Sequence, residues 1–309
     1  MNKPEKMSGV LSPVVTPFNA DLKADGGRLV RQCRWLLSQN CGLAIFGTNS
    51  EANSLSADEK IDLLDTLVDA GLDTARMMPG TGACAIPDAV SMTSHAVKRG
   101  CAGVLMLPPF YYKGVSDEGL FRYYSEVIQQ VGDSNLMVYL YHFPQVSQVP
   151  ISLSLIERLL KEYPDTVAGI KDSSGDWNNM EAMLKQFPGF AMFPGNETVL
   201  LKSMQSGGAG CISATANINP GAIADLAANW QAVDAQAKQD EMNDLRLMMQ
   251  EFPMIPALKA AIAHYSGDSE WRHVRPPLVE LTAEQNSALL AELDKRGFKM
   301  PGLAEAQAA

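Results

Sequence analysis

Two side chains with complementary chemistry close neighbouring apolar runs. Lys171 follows Val167-Ala168-Gly169-Ile170, and Tyr141 ends the run Leu136–Tyr141. If both runs are buried strands of one parallel barrel, the amine and the phenol stand over the same mouth. Burial disfavours the charged form of a lysine and carries its pKa from about 10.4 towards neutrality. A neutral amine attacks a ketone and forms a Schiff base. A phenol beside it passes protons to and from a substrate hydroxyl. Position alone leaves Lys171 a second reading, a side chain that snorkels to solvent and pairs with Asp172. Tyr141 likewise fits a packed aromatic with a satisfied hydroxyl. The two together favour the imine.

Other run ends add polar groups. Gly47-Thr48-Asn49-Ser50-Glu51 offers amides and side chains suited to a carboxylate, and it fits ordinary turn chemistry equally well. Pro108-Pro109-Phe110-Tyr111-Tyr112, Tyr141-His142-Phe143-Pro144, Lys171-Asp172-Ser173-Ser174 and Gly195-Asn196-Glu197 complete the rim. Gly80-Thr81-Gly82 and Gly207-Gly208-Ala209-Gly210 complete no phosphate-binding pattern. Five scattered cysteines (Cys33, Cys41, Cys84, Cys101, Cys211) contain no C-x-x-C, and four histidines form no H-E-x-x-H. A disulfide framework and a metal site are therefore not expected. Cys101 and Cys211 read as small buried packing residues.

The elements that must position these groups alternate. Candidate strands are Val10–Thr16, Leu43–Gly47, Met77–Gly80, Gly103–Leu107, Leu136–Tyr141, Val167–Lys171, Ala191–Pro194 and Gly210–Ser213. They are apolar throughout, as strands buried on both faces require. Helical stretches lie between them: Asp25–Gln39, a helix opened by the capping box Ser56-Ala57-Asp58-Glu59, then Ile86–Lys98, Ser116–Gln130, Ser152–Lys161, Asp176–Gln186, Thr198–Gln205 and Pro220–Asn229. This order predicts an α/β fold, a (β/α)8 TIM barrel over 1–230. Residues 231–309 carry no strand signal. Ala232–Met249, Ile255–Tyr265 and Ala283–Lys295 are expected to be helices packed on the barrel's outside, with Ala304–Ala309 frayed. Trp35, Trp177, Trp230 and Trp271 are expected to anchor core or interfaces.

Length and charge bound the rest. The chain has 309 residues, 25 basic against 35 acidic, and a net charge of −10. That balance argues against nucleic acid as a partner. The apolar stretch Val104–Phe110 is interrupted by prolines and far too short to span a bilayer. The start, Met1-Asn2-Lys3-Pro4-Glu5-Lys6, lacks an apolar signal core. A cytoplasmic protein is expected.

Taken together, these motifs resemble the dihydrodipicolinate synthase / N-acetylneuraminate lyase family of pyruvate-dependent class I aldolases, from about Gly9 to Leu293. Gly47–Glu51 is similar to the family's G-[ST]-x-G-E loop, Pro109–Tyr112 to P-x-Y-Y, Tyr141–Pro144 to Y-N-x-P and Gly169–Asp176 to its G-x-K-[DE]-[ST] strand end, with order and spacing in agreement. The resemblance implies Lys171 as imine lysine, Tyr141 as general acid/base, and Thr48 and Asn49 as holders of the pyruvate carboxylate. Thr48 would join a proton relay with Tyr141 and Tyr112, the latter or Tyr111 reaching from an adjacent subunit. Ser173, Gly195 and Ile212 would line the substrate channel. A homo-oligomer, dimer or tetramer, is implied. No metal or organic cofactor is implied beyond the covalent imine with Lys171.

The departures also carry information. Ser50 stands where the family has glycine, and Asn49 where a second hydroxyl is common. His142 replaces asparagine. Val146 occupies the place of the arginine with which true dihydrodipicolinate synthases bind the aldehyde partner's carboxylate. An apolar residue makes no such contact. Asn49, the run Lys171–Asp176 and Met254–Lys259 are closer to members acting on 4-hydroxy-2-oxoglutarate and 2-keto-3-deoxy sugar acids. The expected function is cleavage or formation of a 4-hydroxy-2-oxo acid with pyruvate as one partner. The loop Gln145-Val146-Ser147-Gln148 suits an uncharged tail. The alternatives are a 3-deoxy-2-oxo sugar acid dehydratase, a dihydrodipicolinate synthase and a non-catalytic 2-oxo acid binding protein.

Overall fold

The helices begin where a short oxygen-bearing side chain takes the first free amides. Asp25 accepts from Arg28 N at 2.8 Å, Ser116 from Gly119 N at 3.2 Å, Ser152 from Leu155 N at 3.0 Å and Asp176 from Asn178 N at 2.9 Å. Ser56 and Glu59 form the expected reciprocal box, at 3.1 and 2.9 Å. The computed structural model describes residues 5–308. Its elements run β1 (Gly9–Ser12), α1 (Gly26–Ser38), β2 (Gly42–Leu43), α2 (Ala57–Asp69), α3 (Ile86–Lys98), β3 (Val104–Met106), α4 (Asp117–Val131), β4 (Val138–His142), the one-turn α5 (Pro144–Ser147), α6 (Leu153–Glu162) and β5 (Val167–Asp172). Then come α7 (Trp177–Gln186), β6 (Ala191–Pro194), α8 (Leu200–Gln205), β7 (Gly210–Ile212), α9 (Pro220–Ala228), α10 (Ala235–Gln250), α11 (Met254–Ser266), α12 (Ala283–Lys295) and α13 (Leu303–Ala308).

The strands are all parallel, in the orders β2-β1-β7 and β3-β4-β5-β6. The third expected strand, 77–80, makes only isolated parallel bridges, Leu43 with Met77 and Gly80 with Leu105. Pro79 has no N–H to give to a ladder. The segment still holds both neighbours: Met78 N–H donates to Leu43 O at 2.8 Å, and Leu105 N–H to Pro79 O at 2.9 Å. It therefore fills the third of eight positions in a (β/α)8 barrel. At the other seam Ala209 N–H donates to Met192 O at 2.9 Å, and no ladder joins β6 to β7. β1 and β2 end earlier than expected, before Pro13 and before Phe46, whose φ of 59° is left-handed.

The core has two layers. Leu11, Met78, Leu105, Tyr139, Phe193 and Ile212 fill the barrel interior. A larger shell lies between strands and helices. Trp35 and Trp271 are buried in that shell, and Trp177 and Trp230 pack partly buried against it. The C-terminus is not frayed up to residue 308: Leu303 is fully buried, Trp35 Nε1 donates to Pro301 O at 2.9 Å, and α13 packs on α1 and α11. Its apolar anchor was too short to register as a periodic pattern. Residue 309 lies outside the described residues.

One irregularity decides which face of β5 meets the barrel interior. Val138 pairs with Val167, but Tyr139 pairs with Gly169, so β5 carries one extra residue at Ala168. Strand side chains alternate, and an inserted residue flips the parity beyond it. Ala168 faces the interior, Ile170 the helices, and Lys171 the interior again. Gly169 is required at the bulge, because a Cβ there would lie 2.2 Å from Ala191 O and 2.8 Å from the Tyr139 ring. We expect Gly169→Ala to destabilise the fold by about 1–3 kcal/mol, the usual cost of overpacking, read as a lower denaturant midpoint. An unchanged midpoint would contradict this packing argument.

Candidate active site

β4 and β5 run side by side with Tyr141 opposite Lys171, so both inward side chains emerge at the same level. Lys171 Nζ donates to Tyr141 Oη at 3.4 Å and lies 4.4 Å from the centre of its ring. Tyr141 Oη is 3.1 Å from Thr48 Oγ1. Phe143 stacks on the outer side of Tyr141, with ring centres 5.9 Å apart. Lys171 is 2% exposed, which removes the snorkelling alternative. Asp172 points to the other side of the sheet, where it accepts from Ser174 N and Asn179 Nδ2, both at 2.7 Å. His142 shares that outer side. Burial lowers its pKa against the opposing pull of Asp172, and Nδ1 of the neutral ring accepts from Ile151 N at 3.0 Å.

The Lys171–Tyr141–Thr48 line forms one wall of a cavity of about 660 Å³ at the C-terminal ends of the strands. Asn49, Ser173, Gly195 and Val146 also line it. Gly195 fits because β5 and β6 converge there: a Cβ would meet Ser173 Oγ at 2.2 Å. Ile212 is placed differently from the expectation. It pairs with Leu11 inside the barrel and is fully buried, and Ala214 supplies the wall above it. Tyr112 lies outside its own chain's cavity, 74% exposed and edge-on to Tyr111.

Sequence reasoning missed the part of the lining that the C-terminal segment supplies. Arg246 and Gln250 of α10, Phe252 and Pro253, the start of α11 at Met254–Pro256 and residues 277–279 line the same cavity as Lys171. The segment after 230 therefore does more than pack on the exterior. Its helical periodicity shows a buried face but not what that face covers. Asn217 was also missed. Its side chain accepts from Val15 N at 2.9 Å and donates to Pro13 O at 3.1 Å, tying the loop after β7 to the loop after β1.

Thr48 owes its position to a buried ion pair. It lies in the single turn Thr48–Ser50, which ends in Glu51 at a left-handed φ of 55°. Ser50, the departure from glycine, is absorbed: its Oγ accepts from Gly47 N at 3.1 Å and its carbonyl from Thr16 Oγ1 at 2.7 Å. The Glu51 carboxylate accepts from Lys259 Nζ of α11 and, at 2.9 Å, from Arg275 N. Lys259 also donates to His273 O at 2.7 Å and lies over the Phe18 ring at 4.5 Å. Burial pulls the Lys259 ammonium down to about 8 against the opposing effect of Glu51.

No cysteine suits a nucleophilic role in the cavity. Burial raises the thiols of Cys33 and Cys211 and holds Cys41 and Cys101 at about 12. Cys84 is exposed elsewhere. Among the described residues no group of three or more His, Cys, Asp or Glu side chains converges as a metal site, and no helix is long and apolar enough to cross a membrane.

Residues 6–296 match the profile of the dihydrodipicolinate synthetase family. The chain is 30% identical to an uncharacterized DapA-like lyase of Chloroflexus aurantiacus, over 93% of this chain and 96% of that one. The crystal structure of dihydrodipicolinate synthase from Agrobacterium tumefaciens superposes with a TM-score of 0.86 at 31% identity, covering 93% of this chain and 98% of that one. YagE, an Escherichia coli prophage protein of the dihydrodipicolinic acid synthase family crystallised with pyruvate, superposes with a TM-score of 0.85 at 25% identity, covering 94% and 99%.

Removing one partner of a buried ion pair strands the other's charge. Lys259→Met is expected to cost about 3–5 kcal/mol by denaturant titration. The double variant Lys259→Met/Glu51→Gln should recover part of that loss. Strict additivity of the two single effects would show that the pair does not couple.

Proposed function

The chain belongs to the dihydrodipicolinate synthetase family, and on that premise we propose that it is a Schiff-base-forming carbon–carbon lyase acting on a 4-hydroxy-2-oxo acid, with pyruvate as one product or partner. The observation that carries the reading is the buried line Lys171 Nζ–Tyr141 Oη–Thr48 Oγ1, with steps of 3.4 and 3.1 Å, opening into a cavity. The pyruvate held by the prophage relative's crystal supports the identity of the shared partner.

In this proposal Lys171 attacks the C2 ketone and water leaves, giving an iminium. Tyr141 gives its proton to the departing water, and the phenolate so formed takes the C4 hydroxyl proton. The C3–C4 bond breaks, its electron pair moves into the C2–C3 enamine, and an aldehyde departs. Tyr141 returns the proton to C3, and water hydrolyses the imine to free pyruvate. Thr48 orients the phenol and shares its proton. Asn49 and the turn amides face the C1 carboxylate. The iminium is the electron sink, so the scheme calls on no metal or organic cofactor. We also assign the exposed pair Tyr111 and Tyr112 to a subunit contact in a homo-oligomer.

A second reading, a dihydrodipicolinate synthase, is favoured by the name of the Agrobacterium relative. Val146 in the cavity lining counts against it, because it offers no charge to aspartate semialdehyde. Condensation of pyruvate with that aldehyde separates the two readings. Efficient turnover would favour the synthase.

Borohydride added with pyruvate should fix one reduced pyruvyl mass on Lys171, located by peptide mass spectrometry. Lys171→Ala should lose both adduct and turnover. An adduct elsewhere, or activity within about tenfold of wild type, would refute the imine; an acid–base group alone is worth about 10²–10⁴-fold.

Tyr141→Phe keeps the stacking on Phe143 and removes the proton carrier. Its kcat should fall by about 10²–10⁴-fold while pyruvate trapping is partly retained. An unchanged kcat would move the acid–base role to another residue.

A further inference from the structure

Two basic side chains and no carboxylate line the cavity. Lys171 and Arg246 are the charged residues among those lining it, within a chain whose net charge is −10. Lys171 is committed to the ketone. Arg246 has no assigned task. Its Nε and Nη1 are buried and make no hydrogen bond to any described residue. Buried guanidinium nitrogens without partners are costly unless something charged completes them. Lys259, fully buried at this end of the barrel, has its carboxylate in Glu51. The field of Arg246 reaches the barrel: the Cys211 thiol, raised chiefly by burial, is pulled back by both Lys171 and Arg246.

The location indicates which part of a substrate would meet it. Thr48 and Asn49 flank the Tyr141–Lys171 wall, where the C1 carboxylate and the ketone belong. Arg246 lines the same cavity from α10, with Gln250 one turn further on. With Lys171 taken by the ketone, a second negative group on the substrate has Arg246 as its one cation in the cavity. A single guanidinium with one unit of charge and no second free cation suits a carboxylate rather than a phosphate dianion.

We propose that Arg246 is a specificity-determining anion site, and that the substrate is a 2-oxo dicarboxylic acid whose distal carboxylate it binds. This rests on the Schiff-base reading above and revises the uncharged tail expected from the loop around Val146. The distal charge is met from α10, not from the segment after β4.

The test compares two substrates with the same carbon skeleton, 4-hydroxy-2-oxoglutarate and 4,5-dihydroxy-2-oxopentanoate, by kcat/KM for pyruvate release. Wild type should favour the dicarboxylate by roughly 10–100-fold, the usual worth of a charge-assisted hydrogen bond. Arg246→Met should abolish that preference through the dicarboxylate alone, and Arg246→Lys should keep part of it. Trapping of pyruvate on Lys171 should be unaffected by either variant. No wild-type preference, or an equal loss for both substrates in both variants, would overturn the proposal. If trapping fails in wild type, the Schiff-base reading falls. Calorimetric titration of wild type with 2-oxoglutarate against 2-oxopentanoate then still decides the anion site, and equal affinities would overturn it.

Discussion

The ion pair between Glu51 and Lys259 holds together parts of the chain that local structure cannot join. Glu51 ends the turn that carries Thr48, and Lys259 lies in the middle of α11. Both side chains are fully buried. Such a pair is not in itself a strong source of stability, because desolvation offsets most of the attraction. Its value here is geometric. The carboxylate satisfies Lys259 and Arg275 N together, and the ammonium also holds the carbonyl of His273. Arg275 in turn pairs with Glu59 at 2.5 Å and draws its carboxyl below the usual range. The C-terminal helices are thereby fastened to the loop after β2, and the part of the cavity lining that they supply comes with them.

The barrel supplies the opposite requirement, a rigid floor. Parallel strands buried on both faces leave their side chains two directions only. On β4, Tyr141 faces inward and His142 outward; on β5, Lys171 faces inward and Asp172 outward. The same alternation thus separates the Lys171 amine and the Tyr141 phenol from a histidine and a carboxylate that would otherwise compete for their protons. Below them Tyr139 and Phe193 pack edge to face, with ring centres 6.0 Å apart, and close the interior to water.

Charge is distributed to the same end. The chain is acidic overall, yet the residues lining the cavity include no aspartate or glutamate. Glu197 lies close by but is turned into the protein, accepting from Ser213 and Thr215. A cavity lined by two basic side chains and by none of the surrounding acid favours an anion over a cation.

Much of this was legible in the chain itself. The order of apolar runs and amphipathic stretches determined the alternating barrel, because burial on both faces demands continuous apolar strands. The helix starts at Ser56, Ser116 and Asp176 followed from local capping chemistry, which needs only neighbouring residues. Lys171, Tyr141 and Thr48 were legible because each closes or follows a run. Tertiary structure alone decided the rest. The inserted residue in β5 sets the direction of Lys171, and it shows only in the pairing with β4. Met77–Gly80 became bridges rather than a strand because Pro79 withholds a donor from a partner the chain order does not specify. Arg246, Asn217 and the pair Glu51–Lys259 act across long separations in sequence. Local propensity contains no term for such contacts, since they exist only once the barrel has brought its ends together.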